Sequence, residues 1–258
     1  MSRARARRIP GIAGIPGIAG IALTGVLAAC GAKNPPGELG GTDLFAWAQD
    51  RFDDEDWPSA RNGFQNFMIR DPLSQLTDSA QFLLAESMLR NGQEIEAGDE
   101  FSRLAIGRPN SPLADDAQFG VCRSYLEASP KVTLSQEYTI RAIDECSRML
   151  QFFPGSELRP QAEELMSSGR NKLAQQSYEI GKYYYDRRFY ESANVYFEKA
   201  VSQRPGPELM PRLLAGMYES YRRAGFDTEA RVVRDRLLTE FPDSPEADDL
   251  RDDGSDGG

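Results

Sequence analysis

Apolar and small residues recur along this chain at the three- and four-residue spacing of one helix face. No segment alternates apolar and polar positions cleanly, as a half-buried strand would. Alanine stands at Ala60, Ala97, Ala142, Ala193 and Ala230, and a proline follows each at an offset of twelve, at Pro72, Pro109, Pro154, Pro205 and Pro242. Phe64, Phe101 and Phe197 lie one helical turn after the first, second and fourth alanines, and Cys146 holds that place in the third unit. Small residues at Ala48, Ala85, Gly120 and Gly181 precede the alanines, so two helix backbones can approach closely. The pattern predicts five helix pairs, about ten helices, each pair ended by proline.

The units are not uniform. The successive prolines are 37, 45, 51 and 37 residues apart. The first unit spans residues 41–73 and the second 78–110, with Asn91-Gly92 suited to a left-handed helix cap. The third is stretched by an inserted loop at 129–136. Residues 157–173 continue without a break towards Tyr178, which predicts one long helix entering the fourth unit, residues 174–206. The fifth spans 211–244. In the fourth unit Gly181, Tyr184, Ala193, Phe197, Ala200 and Pro205 resemble a complete tetratricopeptide (TPR) signature. The fold class is therefore all-α, a superhelix of five TPR helix pairs over residues 43–245. Its right hand is implied by the resemblance. Such stacks bind polypeptides along their faces.

The N-terminus has a different pattern. Arg3, Arg5, Arg7 and Arg8 precede an uncharged run from Ile9 to Ala29 in which Ile-Pro-Gly-Ile-Ala-Gly occurs twice. A basic start, an apolar run and small residues before a break mark a secretory signal. The run is also long enough to span a bilayer if it is retained. Leu27-Ala28-Ala29-Cys30 resembles the lipobox of bacterial lipoproteins, which implies a signal peptide at 1–29 and a lipid on Cys30. Each buried acyl methylene contributes about 0.8 kcal/mol, so more than one chain gives stable attachment. Gly31, where a retention signal would place Asp, points to the outer membrane, and residues 30–42 read as a flexible tether.

Composition narrows the function. The chain has no histidine, and therefore lacks the commonest general base and metal ligand. Its 30 basic and 40 acidic residues give a net charge of −10, and loss of the four leader arginines makes it −14. That excludes phosphate neutralisation as a mode of binding, so no nucleic-acid partner is expected. There is no Gly-rich phosphate loop, metal-ligand spacing or nucleophile elbow. Asp53-Asp54-Glu55-Asp56 reads as a solvated turn, and residues 246–258 as a disordered acidic tail. The chain reads as a non-enzyme without cofactors.

Candidate sites lie on the first helix of each pair. The lining positions of a TPR groove fall in units one and two on Phe45, Phe52, Phe82, Glu86 and Arg90, among others. Exposed aromatics there would suit an extended apolar peptide, although each ring could instead be core. Arg212, Arg222 and Arg223 form a basic strip on the fifth unit that could dock an acidic partner, or be solvated helix charge. Cys122 and Cys146 lie on the first and second helices of the third unit. An oxidising compartment would allow a bridge, but the reading adopted is two buried free thiols acting as small apolar residues.

A lipobox followed by five TPR units, with a stretched third unit and a long helix into the fourth, resembles the BamD-type lipoproteins of the outer-membrane β-barrel assembly (BAM) machinery. Supporting stretches are Arg70-Asp71-Pro72, Phe153-Pro154-Gly155-Ser156, residues 177–184 and Phe241-Pro242-Asp243-Ser244. The resemblance implies a periplasmic-face, lipid-anchored protein of the outer membrane. Its N-terminal units would receive unfolded outer-membrane proteins, and its C-terminal units would dock on the POTRA domains of a BamA-like barrel, beside other BAM lipoproteins. A secretin pilot, a cell-wall coordination scaffold and an inner-membrane scaffold are the alternatives, with an enzyme the weakest.

Overall fold

A computed structural model describes residues 33–253. Cys30, the signal segment and residues 254–258 lie outside the described residues. The described residues hold eleven helices and no strand: α1 Gly41–Asp53, α2 Trp57–Arg70, α3 Thr77–Arg90, α4 Glu94–Gly107, α5 Ala114–Glu127, α6 Glu137–Phe152, α7 Arg159–Asp186, α8 Tyr190–Ser202, α9 Met210–Ala224, α10 Asp227–Glu240 and α11 Pro245–Asp253. Each helix packs on its neighbour in sequence, and the first helices of successive pairs also touch. This is a TPR-type stack of helix pairs.

Local chemistry sets the boundaries. The Asp56 carboxylate accepts the Ser59 amide at the start of α2, and Pro58 occupies the first turn, where its missing N–H costs nothing. Gly92 (φ 74°) and Gly225 (φ 81°) end α3 and α9 in the left-handed conformation that glycine adopts without strain. Close approach explains two other glycines. A Cβ on Gly181 would stand 2.8 Å from the Phe197 ring, and one on Gly120 would stand 2.7 Å from the Phe101 ring of the preceding pair.

Phe64, Phe67, Phe101, Leu104, Tyr125, Met149, Leu213 and Leu237 are fully buried between helices. Burial of each such side chain contributes about 1.5–3 kcal/mol. The third pair lacks the phenylalanine wedge. In its place Cys146 of α6 is disulfide-bonded to Cys122 of α5, with Cα atoms 5.0 Å apart and both residues wholly buried. The expectation of two free thiols is corrected. The antiparallel helices bring the two Cα atoms within the span a bridge needs.

The long helix forms as expected. α7 has 28 residues, about 42 Å of rise. Its first half packs on α6, where Gly169 meets Ile143, and its second half packs on α8, where Gly181 meets Phe197. The inserted loop is tied down. Lys172 of α7 donates to the Ser129 carbonyl (3.0 Å) and hydroxyl (2.6 Å), and Gln176 donates to the Leu134 carbonyl (2.8 Å).

The C-terminal expectation needs a second correction. Residues 246–253, assigned to a disordered tail, belong to α11, which starts at Pro245. Ala247 and Leu250 are buried against Leu214, Tyr221, Val233 and Leu237 of the fifth pair. A terminal repeat exposes the apolar side that its missing neighbour would cover, and α11 covers it. The tether, expected to be flexible, lies against α2: the Lys33 amide donates to the Ser59 hydroxyl (2.7 Å), and Arg70 donates to the Leu39 carbonyl (2.6 Å).

Candidate peptide-binding face and docking strip

The first helices of the pairs, α1, α3 and α5, form the face on which the sequence places a groove. Phe45 is 5 % exposed and packs edge-on against Phe64 and Phe67, with centroids 5.6 and 5.4 Å away. It belongs to the core of the first pair, which corrects its assignment to an exposed groove. Phe52 and Phe82 are half-buried. Phe52 stands edge-on to Trp57 at 5.1 Å, and Phe82 to Phe101 at 5.4 Å. Part of each ring stays open to the face.

The polar residues make a network. Glu86 of α3 is buried, and its carboxylate takes a charge-assisted hydrogen bond from Arg123 of α5 while standing 3.6 Å from Arg90. Arg123 also lies 3.8 Å from Glu127, and the exposed Arg90 guanidinium sits 5.5 Å over the Trp57 ring. Burial pushes the Glu127 carboxyl above its ordinary range; Arg123 opposes the shift, and the carboxylates of Glu86 and Glu94 reinforce it. The pair joins α3 to α5, while the buried Arg123 Nε finds no hydrogen-bond partner. The surface left open is a half-exposed aromatic edge beside Arg90, flanked by carboxylates. That chemistry suits an extended segment with apolar side chains and exposed backbone amides.

Arg123 and Trp57 were not among the residues that sequence reasoning selected. Arg123 falls outside the recurring lining positions. The readable signal was charge complementarity between Glu86 and an arginine one unit later.

On the fifth pair the basic strip is present but partnered. Arg212 lies 4.5 Å over the Tyr178 ring and 3.7 Å from Glu179. Arg222 and Arg223 both stand 2.9 Å from the Glu219 carboxylate, which also accepts from the Tyr185 hydroxyl at 3.2 Å. Burial tends to raise the Glu219 pKa, but the hydrogen bonds from Arg223, Arg222 and Tyr185 outweigh it and hold the carboxyl below its ordinary value. One carboxylate thus serves two guanidiniums. All three arginines remain exposed, so a partner carboxylate would share or displace an internal one.

Among the described residues there is no group of histidine, cysteine, aspartate or glutamate that could hold a metal ion, and no helix long and apolar enough to cross a membrane.

The stack of helix pairs defines a TPR-type superhelix. The profile of the YfiO family, described as "Outer membrane lipoprotein", matches residues 39–237, well over half the chain, and this chain belongs to that family. No curated protein sequence matches it. Among solved structures it is similar to the MamA protein, with 15 % identity and a TM-score of 0.35 over 77 % of this chain and 90 % of that one. It is also similar to a tetratricopeptide repeat protein from Parabacteroides merdae, with 16 % identity and a TM-score of 0.37 over 77 % of this chain and 79 % of that one.

Proposed function

We propose that this chain is the lipid-anchored scaffold of outer-membrane β-barrel assembly. Lipid on Cys30 holds it at the periplasmic face of the outer membrane. The face of α1, α3 and α5 receives unfolded barrel precursors, with Phe52, Phe82, Trp57 and Arg90 touching the client and Glu86 positioned by Arg123. The fifth pair, through Arg212, Arg222 and Arg223, docks an acidic surface on the POTRA domains of a BamA-like barrel, and other lipoproteins of the complex join there. The reading is that of a scaffold without catalysis.

The observation that carries this reading is membership of the outer-membrane lipoprotein family across residues 39–237. Two features support it. The lipobox-like Leu27-Ala28-Ala29-Cys30 stands directly ahead of the repeats. The wholly buried Cys122–Cys146 bridge belongs to chains that fold in an oxidising compartment such as the periplasm.

The test is a detergent pull-down of the full chain from outer membranes, read by mass spectrometry. Recovery of a BamA-like barrel, weakened by Arg222→Glu with Arg223→Glu, is the expected result. Recovery of a secretin or of cell-wall synthesis enzymes without that barrel would replace the assembly reading with another envelope role.

A further inference from the structure

The stretch between the proposed anchor and α1 is docked to the body. Lys33 meets Ser59, the third residue of α2. Pro35 is buried. The Leu39 amide donates to the Pro36 carbonyl at 3.1 Å and closes a turn. Arg70, the last residue of α2, then donates to the carbonyls of Leu39 (2.6 Å) and Gly37 (3.4 Å). The segment therefore runs beside α2 from its start to its end, about 16 Å of helix. It lies along α2, whereas α11 covers the side of the fifth pair that a following repeat would cover.

The structure assigns residues 33–40 as a strap on α2 rather than a free linker, and so determines which edge of the body meets the lipid surface. Lys33 lies beside the α1–α2 turn. A residue three positions earlier can be no farther than about 11 Å from it along the chain. With lipid on Cys30, a reading this inference shares with the proposed function, the bilayer meets the body at that turn. Asp53, Asp54 and Glu55 there are exposed and acidic, and Arg51 pairs with Asp54 at 3.0 Å. Such a turn gives no attraction to anionic headgroups, so the strap alone sets the approach and orientation. A free linker of the same length would let the body tumble about the anchor.

The experiment uses the full chain purified from membranes in detergent, with a nitroxide on Asn34→Cys. Asn34 is exposed, and both Cys122 and Cys146 are buried in their bridge. The strap predicts a broad, immobilised spectrum. Adding Arg70→Ala or Ser59→Ala should sharpen it, with the rotational correlation time falling at least about fivefold into the nanosecond range of free segments. Arg70 is exposed at a helix end, so its loss leaves the fold intact; circular dichroism checks that. A sharp spectrum without either substitution overturns the strap, and so does a broad one that neither substitution alters. Incorporation of a second nitroxide would show an unlipidated Cys30. That would sink the anchor reading while leaving the strap standing.

Discussion

Reduction of the Cys122–Cys146 bridge should loosen the middle of the stack and little else. The two cysteines are 24 residues apart in sequence. In the chain-entropy description, closing a loop of that length removes about 3.4 kcal/mol of unfolded-state freedom at 25 °C. The same thiols stay buried in the reduced fold, so packing is nearly conserved and the entropy term dominates. Opening of the third pair should then become about 300-fold more frequent, since every 1.4 kcal/mol is a factor of ten. A single melting temperature is a poor readout, because a repeat array need not unfold as one unit. Hydrogen exchange of α5 and α6 peptides, with and without reductant, measures the opening directly. Reductant must be equilibrated through the unfolded state, since neither sulfur reaches solvent. Amides of α1 and α10 should change far less. Two thiols titrating in denatured, unreduced protein would refute the bridge, and a protection change under about threefold would refute the entropy argument.

Gly120→Ala forces a methyl into the Phe101 ring and should cost about 1–3 kcal/mol in urea unfolding, the usual range for overpacking. Leu250→Asp should strip α11 from the fifth pair at a cost of about 1.5–3 kcal/mol of local stability, read as faster exchange in α9 and α10. Glu219 has a lowered pKa in the fold, so its contribution is present above the ordinary carboxylate value and lost as pH falls through the lower folded value. Acid titration of C-terminal stability should show that loss, and Glu219→Gln should flatten it. Glu86→Gln should loosen α3 on α5 and leave Arg123 underpaired, weakening client-peptide binding without changing the pull-down by the fifth pair.

Several elements were legible because they are local. The Ala-to-Pro offset, the glycine cap after Asn91 and the unbroken pattern into Tyr178 depend on backbone propensity and short-range spacing, and α3, α7 and the loop between α5 and α6 follow them. The candidate site was less legible. Positional rules placed Phe45 on an open face, but the contacts of Phe64 and Phe67 bury it. The arginine strip read as free positive charge until Glu219 was seen to hold two of its members.

What the sequence by itself determined was the helical period, the number of repeated pairs, the stretched middle and the lipobox-like start. These are carried by residues within a turn or two of one another. Tertiary structure alone decided the bridge, the strap and the C-terminal cap. Cys122 and Cys146 are joined because two antiparallel helices bring their Cα atoms to 5.0 Å. Residues 33–40 and 245–253 carry too few apolar side chains to order themselves. They are ordered by the body they lie on: the first is held by Ser59 and Arg70 of α2, and the second covers the side of the fifth pair that a following repeat would have covered.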